Sequence, residues 1–180
     1  MELWDLYDRQ RQLIGNDHIR GERIPNGCYH LVVHVWIRNN NDEYLISQRS
    51  ANCSRFPLMW ECVGGSVLKG EDSITGALRE VKEEVGITLS PESGRLLSSE
   101  VRECFQDIRD IWLFEYAGSV HLEKATTDEV AQVKWLQKCQ IKELFDAELI
   151  VDDLQYFFHN VDPVKLEKYP SGEGAPLLRE

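Results

Sequence analysis

The 180 residues predict an α/β (α+β) domain in which a mixed β-sheet lies between helical layers. Three observations carry that prediction. Several apolar stretches have the length and β-branched, aromatic character of strands. One segment after residue 72 has helical spacing, and the strands are joined mostly by connections short enough to be antiparallel.

Taken in order, Tyr29–Arg38 (YHLVVHVWIR) is a strand that ends in the turn Asn39-Asn40-Asn41-Asp42. Glu43–Arg49 (EYLISQR) returns as its hairpin partner. Leu58–Val63 leads into a glycine loop at Gly64-Gly65. From Ser73 onward, Ile74, Ala77, Leu78, Val81 and Val85 recur at i, i+3, i+4, i+7 and i+11, one face of a helix. Asp72 or Ser73 is its N-cap and Gly86 its left-handed terminator. Gly76 inside the helix costs about 1 kcal/mol relative to alanine unless close packing requires it. Gly94–Phe105 and Asp107–Ala117 read as two long strands, and Val130–Leu136 as another. Gln140–His159 reads as a helix with a break near Ile150-Val151 and an apolar face of Leu144, Phe145, Leu149, Leu154 and Phe158. The expected organisation is a domain at 28–159, an extension at 1–27 packed on it, and a Pro- and Gly-rich tail at 160–180.

A net charge of −11 argues against a nucleic-acid duplex as partner, since phosphate contacts come mainly from Lys and Arg. No apolar run approaches the roughly 20 residues that span a bilayer, and the N-terminus has no signal-peptide core. Five cysteines (Cys28, Cys53, Cys62, Cys104, Cys139) form no C-x-x-C pair, which fits reduced thiols and a cytoplasmic protein. A homodimer is left open.

The chemistry is concentrated between Gly65 and Ile87, in G-SVLKG-E-DSITGAL-R-E-V-K-E-E-V-G-I. At ordinary residue frequencies its fixed positions arise by chance with odds on the order of one in a billion per start point. Glu80, Glu83 and Glu84 fall on adjoining sides of the helix, and the Glu80–Glu84 pair costs it roughly 0.2–0.5 kcal/mol. Arg79, four residues before Glu83, offsets part of that. An E-x-x-E-E run alone is usually a solvated helix face. The glycines and Glu71 ahead of it favour a metal site instead, where Mg2+ bridges carboxylates and a substrate diphosphate.

The pattern resembles the signature of the Nudix hydrolases, and it is complete. The resemblance implies a Nudix-like α/β/α sandwich that uses Mg2+ or Mn2+ to hydrolyse a nucleoside diphosphate linked to another group, or a related small diphosphate-containing substrate. It implies that Glu80 and Glu84 bind metal, with Glu83 beside them and the Gly64 carbonyl as a backbone ligand. Arg79 would orient a glutamate and Glu71 would act through water or a neighbour. The proton acceptor would be a signature glutamate such as Glu83, or a carboxylate from a later loop. Glu129, in the acidic loop before Val130–Leu136, matches that later position; a polar turn capping a strand is an equally good reading of it.

The N-terminal half (LWDLYD…G-N-D…RGE…P-N-G-x-YHLVVHVWI, then ISQRS and FPLMW) further resembles type I isopentenyl diphosphate isomerases, which share the scaffold. Those enzymes place a catalytic cysteine and a metal-binding histidine where this chain has glycine and Ser66, with Cys62 displaced. A silent nucleotide-binding scaffold is the third reading, and the intact glutamates argue against it. His30 and His34 face one side of their strand, yet without a third ligand they read as buried, hydrogen-bonded histidines; His18 reads as a surface residue. Arg49 and Arg55 are candidates for phosphate contact. Trp60, Phe56, Trp112 and Phe114 are candidates for a stacking wall, and the shared face of Trp112 and Phe114 favours the core for those two.

Overall fold

The computed structural model describes residues 2–161. The strands are β1 (Leu3–Tyr7), β2 (Leu13–Ile19), β3 (His30–Arg38), β4 (Tyr44–Arg49), β5 (Trp60–Glu61), β6 (Val63–Ser66), β7 (Gly94–Arg102), β8 (Asp107–Glu115) and β9 (Val130–Leu136). The helices are α1 (Ser73–Val85) and α2 (Lys138–Asp146). β1 and β2 form a separate antiparallel hairpin, while β3 to β9 make one seven-stranded sheet. β3 runs parallel to β8 and antiparallel to β6, so the sheet is mixed as expected.

Alternation along the strands builds the two faces. Leu31, Val33, Val35 and Ile37 of β3 join Leu45, Val63 and the α1 residues Ala77, Val81 and Val85 in one core. Trp36, Tyr44, Ile46, Trp60, Cys62 and Ile111 form the second core with Ile141 of α2 and with Leu154 and Phe157 beyond it. The helices thus cover opposite faces of one sheet, which is the predicted layering.

Several details differ from the sequence expectation. Gly64 and Gly65 lie within β6, paired with His34 and Val33, rather than in a loop. The helix expected over Gln140–His159 stops at Asp146; one 3-10 turn (Asp152–Leu154) and one π turn (Phe157–Val161) follow. Leu149, expected on its apolar face, is 51% exposed because the chain turns out at Glu148, whose φ is +55°. The two long strands end earlier, at Arg102 and Glu115. Finally, the β1–β2 hairpin was not foreseen. It is stitched to the sheet by reciprocal Tyr7–Tyr29 backbone bonds of 2.8 and 2.9 Å, and the Lys69 N–H donates to the Leu3 carbonyl at 2.8 Å. The expected tail, past residue 161, lies outside the described residues.

Candidate active site

α1 sets the geometry. The Asp72 carboxylate accepts from the Thr75 N–H at 2.9 Å, and Gly86 closes the helix in the left-handed region at φ +69°. Gly76 is there for space: a β-carbon would stand 2.8 Å from a Val67 methyl. With Ala77, Val81 and Val85 against the sheet, Glu84 is carried onto the buried side and is only 6% exposed. Glu80 comes up beneath β6, where a β-carbon on Gly65 would meet the Glu80 carboxylate at 2.4 Å. A strand without a side chain at that point is what lets the carboxylate approach the sheet backbone.

The acidic residues divide into two groups, each facing one arginine. Arg79 Nε donates to Glu71 at 2.9 Å, Nη1 to Glu80 at 2.9 Å and Glu83 at 3.0 Å, and Nη2 to the Ser66 carbonyl at 2.8 Å. Glu71 in turn accepts the Leu68 N–H at 3.0 Å. One guanidinium therefore gathers Glu71, Glu80 and Glu83 and ties them to β6. The charge expected to ease the Glu80–Glu84 repulsion does so across the whole loop and not only along the helix.

The second group is Glu84 with Glu61 and Glu129. Burial first, then the negative fields of Glu80, Glu61 and Glu129, hold the Glu84 carboxyl well above the usual carboxylate range. Glu84 forms no hydrogen bond or ion pair with any described residue. Glu61 is also pushed up, by burial, against the opposing pull of Arg49. Arg49 Nη1 donates to Glu61 at 2.5 Å, and its Nε donates to the Arg55 carbonyl at 2.9 Å. Glu129 is exposed, with its backbone fixed from both sides. Its carbonyl accepts from the Ser50 N–H at 2.7 Å and from the Cys53 thiol at 3.4 Å. The preceding Thr126 N–H bonds the Glu83 carbonyl at 2.8 Å, so the end of α1 anchors the acidic loop.

A groove of about 1610 Å³ opens over this region, lined by Arg49, Arg55, Glu61, Gly64, Gly65 and Glu129 among others. Glu83 lines a smaller cavity of about 500 Å³, together with Leu78, Lys82 and Thr126. Among the described residues no three His, Cys, Asp or Glu side chains already converge on one point as a finished cation cage. Arg79 and Arg49 hold the carboxylates of Glu80, Glu83 and Glu61. The donor set nevertheless suits a hard divalent cation: it offers several carboxylates, among them Glu84 with no partner among the described residues, beside the Gly64-Gly65 backbone of β6.

The remaining candidates separate cleanly. Arg49 lines the groove but is committed to Glu61, whereas Arg55 is exposed and its side chain makes no ion pair with a described residue. Trp60 is 6% exposed and in the core; the Trp112 and Phe114 rings pack against each other at a tilt, centroids 5.9 Å apart, as their shared face required. Phe56 is exposed on the groove wall. His30 and His34 lie on the sheet face opposite α1 by strand alternation. His30 Nδ1 is 3.2 Å from the Gln106 carbonyl, and His34 Nδ1 is 2.8 Å from the Tyr156 hydroxyl. His30 is buried and His34 partly buried, and the Nδ1 of each lies at hydrogen-bond distance from a protein oxygen. His18, expected at the surface, is 6% exposed: Trp4 stacks between it and His30, and its Nε2 is 3.1 Å from the Glu22 carbonyl. The correction follows from the unforeseen hairpin, which supplies Trp4.

Sequence reasoning missed Glu61. Its signal was a carboxylate in the otherwise apolar run Leu58–Val63, directly before the glycines.

A family model of the NUDIX domain matches residues 29–154. An uncharacterised Nudix hydrolase of Listeria innocua is 38% identical over 163 residues, covering 89% of this chain and 92% of that protein. Another, from Listeria monocytogenes, is 36% identical with the same coverage. Among solved structures, a Deinococcus radiodurans protein superposes with a TM-score of 0.67 at 21% identity, over 83% of this chain and 92% of that one. A domain match that spans signature helix, groove and both cores, together with relatives alike over nearly their full length, makes this chain a member of the Nudix family, and a Nudix hydrolase.

Proposed function

We propose that the enzyme cleaves a diphosphate linkage in a nucleoside diphosphate-linked or related small substrate, with Mg2+, or Mn2+ in its place. The observation that carries this is Glu84: a side chain only 6% exposed that makes no hydrogen bond or ion pair with a described residue, in the field of three other glutamates. Such a group is costly unless a cation completes it. That cost also argues against a scaffold that only senses nucleotides, which has no need to activate water.

In this reading Glu80 and Glu84 are the principal metal-holding carboxylates, with Glu83 beside them and the Gly64 carbonyl as a backbone ligand. Bound cations would supply a low-pKa water, neutralise phosphate oxygens and orient the leaving group. Arg79 and Glu71 position: the guanidinium fixes Glu80 and Glu83 relative to Ser66 and the strand. Glu129 is the better proton acceptor. Its backbone is fixed on the groove, and its side chain makes no hydrogen bond with a described residue, whereas Glu83 is already held by Arg79. Arg55 is better placed than Arg49 to meet a phosphate on arrival, because Arg49 is committed to Glu61.

The N-terminal likeness to isopentenyl diphosphate isomerases is read as shared scaffold and not as shared reaction. Cys62, the nearest thiol to the displaced cysteine position, belongs to the core on the sheet face away from α1, and burial pushes its thiol far up. That removes Cys62 as the counterpart of the isomerase cysteine. Residues 28–159 are read as the catalytic domain with 1–27 as an extension packed on it. No described helix is long and apolar enough to cross a membrane, and we read the enzyme as cytoplasmic.

The test is a screen of nucleoside diphosphates, sugar nucleotides, dinucleoside polyphosphates and isopentenyl diphosphate, with Mg2+ or Mn2+ and with products identified. Cation-dependent release of two phosphate-terminated products from one class is expected. Double-bond migration in isopentenyl diphosphate without cleavage of any diphosphate would sink the hydrolase reading, and binding without turnover would favour the sensor.

A further inference from the structure

We propose that Glu61 is an additional cation-site carboxylate, and that Arg49 is its counter-charge, holding it until the cation enters and then turning to the substrate's phosphates. The inference rests on the reading of Glu80 and Glu84 as the metal-holding pair and extends it to a residue outside the helix.

Strand alternation places Glu61 correctly for this. Trp60 and Cys62 belong to the core away from α1, while Val63 belongs to the core beneath it. Glu61 therefore points to the α1 face, where Glu84 is. β5 is hydrogen-bonded to β4 with Ser47 opposite Glu61, which brings Arg49, further along β4, to the Glu61 side chain. Arg49 also stands opposite Val130, next to Glu129. It is thus a guanidinium bonded to Glu61 on the strand beside Glu129, whereas Arg79 bonds Glu71, Glu80 and Glu83 together.

The two arginines are held differently. Arg79 is fixed to three carboxylates and a strand carbonyl. Arg49 has one carboxylate and the carbonyl of Arg55, in the exposed groove-wall segment that also carries Phe56 and Leu58 at positive φ. Releasing Arg49 disturbs only that segment. Glu84 is the independent sign that the half-site is incomplete: it is more than nine-tenths buried and makes no hydrogen bond or ion pair with a described residue. A cation between Glu84 and Glu61 satisfies both carboxylates and removes the reason for Arg49 to stay on Glu61. The guanidinium, already lining the groove, is then free for the planar, bidentate contact that phosphate oxygens favour.

The test is Mn2+ titration of the full chain, read by the paramagnetic resonance of the free ion, on wild type, Glu61→Gln and Arg49→Gln, with metal-free melting temperatures recorded alongside. Glu61→Gln keeps a hydrogen-bond acceptor for Arg49 and is expected to weaken Mn2+ binding about tenfold or more, or to remove one ion from the stoichiometry. Arg49→Gln is expected to act in the opposite direction on the ion, tightening it roughly fivefold by removing a competing charge, while raising KM for substrate. A purely structural ion pair would lower both melting temperatures and leave both Mn2+ affinities at the wild-type value, which overturns the inference. If Glu61→Gln does not fold, an unchanged or weakened Mn2+ affinity in Arg49→Gln overturns it alone. Wild type that binds no Mn2+ at all would overturn the cation-dependent function itself, so the two failures are distinct.

Discussion

Gly65 and Glu80 approach so closely that any side chain at position 65 must displace the carboxylate: a β-carbon there would lie 2.4 Å from both Cδ and Oε1 of Glu80. The obstructed atom belongs to a side chain, so something can move, but Glu80 is held by Arg79 at 2.9 Å and is largely buried. Gly65→Ala is therefore expected to displace the carboxylate rather than unfold the sheet. Overpacking of this kind costs about 1–3 kcal/mol. Activity should fall further than stability suggests, by roughly 10–100-fold, with weakened Mn2+ binding. Kinetics and ion titration on the same preparation check this; full activity with an unmoved Mn2+ affinity would show that Glu80 need not sit where it does.

Glu84 supplies a prediction of opposite sign for stability and activity. Its folded carboxyl lies well above the ordinary range, from burial and then from Glu80, Glu61 and Glu129. A raised carboxyl favours folding fully below its unfolded pKa, and that contribution is lost as pH rises through the folded value. Glu84→Gln removes the titration. Metal-free Glu84→Gln is thus expected to be more stable than metal-free wild type near neutral pH, with a gap that grows as pH rises from the carboxylate range. Relief on the order of 1–3 kcal/mol would raise the melting temperature by roughly 2–4 °C per kcal/mol. The same variant should lose turnover and most of the Mg2+-induced stabilisation, which for wild type is about 2.7 kcal/mol at a hundred times Kd. Equal melting curves for the two proteins, with and without Mg2+, would remove Glu84 from the cation site.

How much of this was legible beforehand follows from where each interaction lies in the chain. Asp72, Gly86 and the glutamates of α1 act within a few residues of one another, so spacing alone reveals them. β3 and β4 announce themselves by pattern, being joined by a short asparagine turn. Glu61 meets Arg49 only because β5 pairs with β4, and it adds to the negative field at Glu84 only because α1 covers that face. Such a contact is set by topology and leaves no local mark beyond one charge in an apolar run. The buried His18 is the same case: its environment comes from Trp4 across the β1–β2 hairpin, and β2 (LIGNDHI) is too polar to read as a strand. Gly64 and Gly65 were misplaced for a different reason. Glycine weakens strands intrinsically, yet here the pairing with β3 and the approach of Glu80 override propensity.

Gly76 tests whether packing or propensity governs the signature helix. In an exposed helix, glycine to alanine gains about 1 kcal/mol. Here the new methyl would stand 2.8 Å from one Val67 Cγ and 3.3 Å from the other, and Val67 is buried at 3% exposure. Valine is stiff at χ1 and has no flexible end to swing aside. Gly76→Ala is therefore expected to destabilise by about 1–3 kcal/mol despite the better propensity. In combination with Val67→Ala the two losses should be clearly less than additive, since each variant vacates the space the other needs. Denaturant unfolding of the four proteins in the cycle measures this, and strict additivity would mean that the contact carries no strain.

The last prediction concerns acid stability and His34. Burial, reinforced by the Arg109 and Arg102 guanidinium groups and opposed by Asp153, lowers its pKa to about 3. The imidazole is accordingly neutral at physiological pH, beside the Tyr156 hydroxyl at 2.8 Å, and that hydroxyl also accepts from Trp36 Nε1 at 3.1 Å. In the unfolded chain the same histidine protonates near pH 6.5. Because the folded pKa is the lower one, His34 favours folding fully above pH 6.5, and the contribution is lost as pH falls from there toward 3. His34→Gln takes the titration away, while losing some packing at every pH. The stability difference between wild type and His34→Gln should therefore change by up to about 1.4 kcal/mol per pH unit through that window, in the direction that favours the variant in acid. Carboxylates away from His34 titrate alike in both proteins and cancel in the difference; Asp153, which shares a field with His34, adds a smaller change of its own. Urea unfolding at half-unit steps from pH 7 to 4 provides the two curves. Parallel curves would mean that His34 is protonated in the folded enzyme, and hence that the face of the sheet opposite the glutamates admits charge.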